Sequence, residues 1–288
     1  MSIQRFSDNL RSWAEDISEL LSQLLRASSI RPSDWMGEDV WGELDDPTHQ
    51  IQSQALEEYR KLSSILEILF KEQPENTINI FQEKREVVLK VIQQQWGQST
   101  YFRNCHQALR EAKEALNTQI SLLNRLHTTS QDGFLMIADT NALLFNTNLD
   151  KWNFASVKQF TIVLMPTVLD ELDKLKADSR SESVRQKSEK LIRQIKEYRG
   201  RGRLTEGVTL VRGKSQIVAI AVEPTFSESL PWLDENNNDD RLLASYLEIV
   251  RQRPHDRVVL LTRDINLQNK AEFAHIPFME PPEPIGTV

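Results

Sequence analysis

The stretch from Phe134 to Leu144 constrains the fold of this chain more than any other. It reads Phe-Leu-Met-Ile-Ala-Asp-Thr-Asn-Ala-Leu-Leu, so that five apolar residues follow a glycine and end at Asp139. A short, continuous apolar run after a turn signal is typical of a strand buried on both faces of a parallel sheet. In open parallel sheets, ligands bind at the carboxyl ends of the strands. Asp139 is therefore the first candidate for chemistry.

The rest of the chain after residue 133 alternates between strand and helix patterns. Apolar runs predict strands at 134–138, 161–165, 208–211, 217–222 and 257–261. Helical patterns occupy 166–177, 184–199, 239–251 and 265–273. Because such alternation implies a parallel sheet with helices on both faces, we expect an α/β domain.

The N-terminal part, by contrast, shows no alternating strand pattern and is predicted to be helical throughout. Its first apolar stripe has a spacing of three and four residues: Ile3, Phe6, Leu10, Trp13, Ile17, Leu20 and Leu24. This stripe and three later ones predict an all-α helical bundle, which packs on itself or offers a face to a second copy or another protein. The turn-like segment Thr128–Gly133 predicts the boundary between a bundle domain, residues 1–130, and an α/β domain, residues 131–288.

Four acidic positions fall at strand ends or in the helix starts that follow them: Asp139, Glu171, Asp240 and Asp264. A single acid at such a place is explained by helix capping. Four together would repel one another at one sheet edge unless a cation neutralised them. Oxygen ligands without clustered His or Cys favour Mg²⁺ or Mn²⁺, ions that activate water and stabilise a phosphodiester under attack.

These motifs resemble those of PIN domains, a fold found in many metal-dependent RNA nucleases. The matching pieces are IADTNALL, PTVLDELDKLK, NDDRLLAS and LLTRDINLQNKA, in that order along about half of the chain. The last is similar to the PIN domains attached to PhoH-type ATPases, although no GxxxxGK[ST] phosphate loop occurs here. The resemblance implies a PIN-like parallel sheet flanked by helices, and it does not cover the N-terminal helices.

The same resemblance implies roles for particular residues. Asp139, Glu171, Asp240 and Asp264 would be the catalytic acids that bind Mg²⁺ or Mn²⁺. The auxiliary positions would be Asn141, Asp239, Thr262 and Asn266, with Thr140 as a second hydroxyl that orients a carboxylate. Asn266 stands where many relatives have an acid, which leaves the number of metal ions open.

A basic stretch follows the helix that contains Glu171. From Lys174 to Arg203 there are eleven Lys or Arg against four acids, in a chain of net charge −7. Seven of these residues are predicted to contact nucleic-acid phosphates: Arg185, Lys190, Arg193, Lys196, Arg199, Arg201 and Arg203. The other interpretation is a solvated helix face. Residues 199–203, Arg-Gly-Arg-Gly-Arg, favour a flexible loop over a helix.

The leading hypothesis is therefore an endoribonuclease that prefers single-stranded RNA. The alternative is a catalytically silent RNA-binding or assembly module on the same fold, and a third possibility makes the bundle a fused inhibitor. A phosphatase with two acids after its first strand is disfavoured, because Asn141 takes the place of the second acid. One cysteine, no apolar run approaching ~20 residues and no signal-peptide pattern predict a cytoplasmic protein that is not inserted in a membrane.

Overall fold

The structure, a computed structural model, describes residues 4–32, 38–126 and 133–284. The chain divides into two compact units: Leu10–Thr128, and Thr129–Val288 together with Met1–Asn9. Of the predicted boundary segment Thr128–Gly133, only Gly133 belongs to the described residues. Within the described ranges, no helix combines the length and the apolar character that crossing a membrane requires.

The N-terminal unit is mostly helical. Its helices are α1 (Phe6–Ala27), whose residues 6–9 are grouped with the other unit, α2 (Asp46–Phe70), α3 (Glu75–Ile92) and α4 (Cys105–Leu126). The predicted stripe on α1 is largely buried, but Leu21 is fully buried where Leu20 is only half-buried. Ile3, the first residue of that stripe, lies outside the described residues. The periodicity thus locates the helix and its buried face to within one residue.

A small antiparallel sheet corrects the expectation that this part of the chain has no strands. It consists of β1 (Ile30–Pro32), β2 (Asp39–Trp41) and β3 (Ser99–Thr100). Two or three residues are too few to show the alternation by which strands are recognised in a sequence. The sheet places the ring of Trp41, which is 2% exposed, 6.2 Å from that of Phe102. It therefore extends the apolar core beyond the helices.

A polar pair lies inside the bundle. The hydroxyl of Tyr59 is 3.2 Å from Oε1 of Gln119, and the Gln119 amide nitrogen donates to the same hydroxyl at 2.9 Å. Both residues are fully buried, and burial raises the pKa of the Tyr59 hydroxyl. Since each side chain satisfies the other, α2 and α4 are held in one register at this level of the bundle.

The C-terminal unit is an α/β sandwich built on one six-stranded sheet. Its strands are β4 (Phe134–Ala138), β5 (Phe160–Leu164), β6 (Val208–Val211), β7 (Ser215–Ala219), β8 (Arg257–Leu261) and β9 (Phe278–Met279). Their order is β6-β7-β5-β4-β8-β9, and every neighbouring pair is parallel except β6 with β7. This confirms the expected PIN-like sheet.

Five helices connect or cover these strands: α5 (Thr140–Phe145), α6 (Pro166–Asp178), α7 (Glu182–Arg201), α8 (Asn238–Gln252) and α9 (Ile265–Phe273). The chain runs outward from β4 through β5 to the antiparallel pair β6 and β7 at one edge, and then returns to the other side of β4 with β8. The strand order therefore reverses at β4, and ligands of open α/β sheets bind beside such a reversal.

Two expectations are corrected here. The strand predicted at 217–222 begins at Ser215 and ends at Ala219, because it pairs with β5 from Phe160 onward. The loop predicted at 199–203 is wrong in its first half, since α7 continues to Arg201 before ending at Gly202. Tyr198, which is buried in the last turn of α7, anchors this extension against the unit. The short helix α5 and the edge strand β9 had no signal in the apolar pattern.

Candidate active site

Asp139 lies where β4 ends and caps the first turn of α5. One carboxylate oxygen accepts a hydrogen bond from the backbone N–H of Ala142 at 2.5 Å, and the other accepts one from the hydroxyl of Thr262. The residue is only 6% exposed. The pKa of this carboxyl is raised to about 6: burial is the main cause, the two hydrogen bonds oppose it, and the charges of Asp239 and Asp264 add to the rise.

Thr262 connects the ends of two neighbouring strands. It follows β8, is fully buried, and its hydroxyl oxygen accepts the N–H of Asp264 at 2.9 Å while its hydrogen points to Asp139. Asp264 is half-buried and caps α9, where Oδ1 accepts the N–H groups of Asn266 and Leu267 at 2.8 and 3.2 Å. Because of this chain of hydrogen bonds, the two carboxylates have fixed orientations.

Glu171 joins this group from α6, on the other side of β4. Its Oε2 accepts a hydrogen bond from the hydroxyl of Thr140, the first residue of α5, at 2.7 Å. Its neighbour Asp170 is exposed. Asn141, also on α5, has its amide nitrogen 3.5 Å from Oδ2 of Asp264, at the outer limit of a hydrogen bond. The side chain of Asn266 is exposed at the start of α9.

The two adjacent acids of α8 have different environments. Asp240 is 4% exposed, and one of its oxygens accepts from Lys270 Nζ at 2.6 Å while the other accepts the N–H of Asp234 at 3.0 Å. Asp239 is half-buried and forms no ion pair with the described residues. Burial is the main cause of its raised pKa; the charge of Asp264 adds to the rise, that of Lys270 opposes it, and those of Glu171 and Asp240 add to it again. Asp239 therefore lies within electrostatic reach of Asp264 and Glu171, and also of Lys270.

The structure thus groups Asp139, Glu171, Asp239 and Asp264, and it directs Asp240 toward Lys270. The partner Lys270 was missed in the sequence. Its only signal is a lysine near the end of the last acidic motif, and its pairing with a residue thirty positions earlier depends on how α8 and α9 pack.

The donor set fits a hard divalent cation. The charge of Asp264 raises the pKa values of Asp139 and Asp239, so a cation between these carboxylates would lower their electrostatic energy. Among the described residues, no three His, Cys, Asp or Glu groups converge closely enough to form a cage that could hold a metal ion. Mg²⁺ does not need such a cage, because it is usually bound by one or two carboxylates and keeps several water molecules.

The basic residues of α7 do not share one face. Ser188, Leu191, Ile195 and Tyr198 form its buried face, and at 3.6 residues per turn the cations fall around the rest of the helix. Lys190 and Arg201 lie on one flank, Arg185, Lys196 and Arg199 on the other, and Arg193 near the outer side. A single strand of nucleic acid could therefore follow one flank but not contact all of them.

Some of these cations are already engaged. Lys190 donates to Oδ1 of Asn148 at 2.8 Å, and the guanidinium of Arg201 lies 5.1 Å from the centre of the Tyr198 ring. Exposed ion pairs join Arg185 to Glu182 at 2.5 Å and Arg203 to Glu206 at 2.9 Å. Such exposed pairs contribute little to stability and exchange readily with other anions.

Comparison with known families assigns the C-terminal unit. Residues 136–280, just over half of the chain, match a protein-family model described as the PIN domain. The matched region runs from β4 to β9 and includes every acid discussed above. A search of curated proteins gives no significant match to the chain.

Proposed function

Because the chain belongs to the PIN-domain family, whose members are typically nucleases, we propose that it is a metal-dependent endoribonuclease that cuts single-stranded RNA. The observation that supports this best is the group formed by Asp139, Glu171 and Asp264. These residues come from three segments far apart in the chain, and hydroxyl groups of Thr140 and Thr262 hold them at one end of the parallel sheet. A structural role alone does not require mutually repelling acids at that place.

Each residue has a proposed role. Asp139, Asp264 and Asp239 would hold Mg²⁺ or Mn²⁺, which when bound supplies an activated water and stabilises charge on the phosphate. Glu171, oriented by Thr140, would position the attacking water or the metal. For Asp240, predicted as a further ligand, we propose a positioning role, since its ion pair with Lys270 ties α8 to α9 at the edge of the site.

Nucleic acid would be attracted by the basic residues of α7. Their contacts would be to phosphates, hence independent of base sequence and weakened by salt. We infer RNA as the substrate from the motifs of the C-terminal unit, and single strands because an extended strand can follow one flank of a helix. The basic flanks would bring this strand to the acids.

The direct test is cleavage of 5′-labelled single-stranded RNA, single-stranded DNA and duplex RNA with Mg²⁺, Mn²⁺ or EDTA. Wild type should cut single-stranded RNA only with a metal ion, and Asp139→Asn and Glu171→Gln should each lower the rate by at least a hundredfold. The matched control is Asp170→Asn, because Asp170 carries the same charge beside Glu171 but is exposed. Equal activity of Asp139→Asn and wild type would refute the assignment.

A second candidate, the silent RNA-binding or assembly module, has one observation in its favour. Asp240 is neutralised by Lys270, and Asn266 provides no charge, so fewer carboxylates are left for metal ions. Under this alternative, wild type binds single-stranded RNA but does not cleave it with either ion at any protein concentration.

The N-terminal unit and the location are separate proposals. Trp96 and Tyr101 are 66% and 56% exposed, and we propose that this unit uses them to bind a protein partner or a second copy of the chain. Light scattering of wild type and Trp96→Ser would detect the homodimer. The kinship with PhoH-type PIN domains and the cytoplasmic location remain predictions, the latter from the single cysteine.

A further inference from the structure

An arginine stacks on an aromatic ring beside the acids. Arg263 lies between Thr262 and Asp264, and its guanidinium carbon is 3.7 Å from the centre of the Phe145 ring. Its side chain is 39% exposed. Because a stacked guanidinium uses its flat face for the ring, the N–H groups at its edge stay directed outward.

The helix α5 fixes how far this arginine is from the acids. Asn141 and Phe145 are four residues apart, so they lie on the same face of α5, about one 5.4 Å turn from each other. The Asn141 amide is next to Asp264 and the Phe145 ring is next to Arg263. The Phe145 ring on which Arg263 stacks therefore belongs to a residue about one turn of α5 away from Asn141, whose amide approaches Asp264.

The one ion pair of Arg263 in the described structure is weak. Its Nε is 3.5 Å from an oxygen of Glu280, whose side chain is 58% exposed. An exposed pair at this distance contributes little energy, and a phosphate that binds two N–H groups at once would displace it. Arginine is well suited to such bidentate contact, and lysine is not.

We propose that Arg263, stacked on Phe145, forms a binding subsite for a backbone phosphate of the nucleic acid, adjacent to the phosphate at the acids. The position of this subsite beside a cleavage site rests on the proposed nuclease function. The subsite itself requires only that the chain binds a single strand of nucleic acid. A positively charged, oriented group at this distance would hold the strand in register with the acids. Phe145 contributes by fixing the guanidinium plane and does not touch the substrate.

The test is binding of a fluorescent single-stranded RNA to the full chain carrying Asp139→Asn, in EDTA and at several salt concentrations. Adding Arg263→Gln should weaken binding about tenfold, the loss of one charge-assisted contact. The slope of log affinity against log salt should become shallower by about 0.7, the value for one phosphate of a single strand. The matched control is Arg212→Gln, which removes the same charge from an exposed turn between β6 and β7.

Two further variants separate the subsite from simple packing. Arg263→Lys keeps the charge but loses the stacked plane, so binding should weaken while the salt slope stays unchanged. Phe145→Leu should weaken binding with Arg263 present and add nothing to Arg263→Gln, since both act through one contact. Unfolding curves of each variant identify any loss of RNA binding that is caused by misfolding. If Arg263→Gln misfolds, the RNA affinity of Phe145→Leu decides whether the stacked arginine binds the strand.

The proposal is overturned if Arg263→Gln and Arg212→Gln bind RNA equally well. It is also overturned if Arg263→Gln leaves the slope of log affinity against log salt unchanged. A different result refutes the nuclease proposal, namely that the wild-type protein binds RNA but does not cleave it. Weakened binding by Arg263→Gln in such a chain would leave the phosphate subsite in place on a silent module.

Discussion

Replacing Asp139 by Asn should stabilise the metal-free protein while abolishing its activity. The carboxyl is almost completely buried, and its pKa is raised from 3.8 to about 6. A raised pKa means that the ionised form is less stable in the folded chain than in the unfolded chain. At neutral pH the folded protein therefore carries an electrostatic cost at this position, which an uncharged side chain of the same shape removes.

The size of the effect follows from these contacts. The pKa rise corresponds to roughly 3 kcal/mol of unfolding free energy at a pH well above 6. Asn is as good a helix cap as Asp, so the bond from Ala142 is kept. The hydroxyl of Thr262, however, loses its acceptor at a cost of about 1 kcal/mol. The net gain is roughly 2 kcal/mol, or about 4 to 8 °C in the melting temperature of a unit of this size.

The pH dependence has a definite sign. Since the folded pKa is above the unfolded value, the folded state binds the proton more tightly, and ionisation begins to cost stability as pH rises through 4. The cost is complete above about pH 6. The difference between Asp139→Asn and wild type should thus be close to zero or slightly negative below pH 4, and reach its maximum above pH 7.

Urea unfolding in EDTA measures this difference in unfolding free energy. Hydrogen exchange of the β4 and β8 amides, followed in the same samples, assigns it to the C-terminal unit. Adding Mn²⁺ should stabilise wild type and leave Asp139→Asn nearly unchanged, because the ion removes the repulsion only where the acid is present. A variant that is less stable than wild type at pH 8 in EDTA, or a difference that is the same at pH 4 and pH 8, would refute the reasoning.

Three further predictions concern the two acids of α8, the hydroxyl of Thr262 and the buried polar pair of the N-terminal unit. Asp239→Asn should lower the cleavage rate strongly with no loss of stability. Asp240→Asn should lower the free energy of unfolding by roughly 1–3 kcal/mol, because it removes the ion-pair partner of Lys270. Cleavage and urea-unfolding assays on both variants separate the two effects. Thr262→Val should destabilise by roughly 1–3 kcal/mol and slow cleavage, since the half-buried N–H of Asp264 loses its acceptor; unfolding and cleavage curves measure both. Tyr59→Phe should cost a similar amount in the N-terminal unit without changing cleavage at saturating substrate.

The sequence was most informative where one physical cause dominates. The run from Phe134 to Ala138 is buried on both faces of a central parallel strand, and its bounds were predicted to the residue. The helix patterns of the C-terminal unit were also located to within one or two residues at most ends. Burial of apolar side chains determines both, and it is visible as periodicity.

The sequence was least informative where structure depends on contacts between distant segments. The three short strands of the N-terminal unit exist only because residues 30–32, 39–41 and 99–100 meet, and they are too short for a pattern. Arg199 and Arg201 are helical although glycines flank them, because buried Tyr198 anchors the last turn. Likewise the stacking of Arg263 on Phe145 joins residues more than a hundred positions apart.

Helix capping and metal binding, treated as competing explanations of the acids, are compatible here. Asp139 and Asp264 each cap a helix with one oxygen, and that bond sets the direction of the carboxylate while further lone pairs stay available. What separates the acids is the source of the neutralising charge. The chain itself supplies it to Asp240 through Lys270, but forms no ion pair with Asp139, Asp239 or Asp264 among the described residues. A cation from solution is the simplest way to satisfy these three, which is why their substitution should change the metal response and that of Asp240 should not.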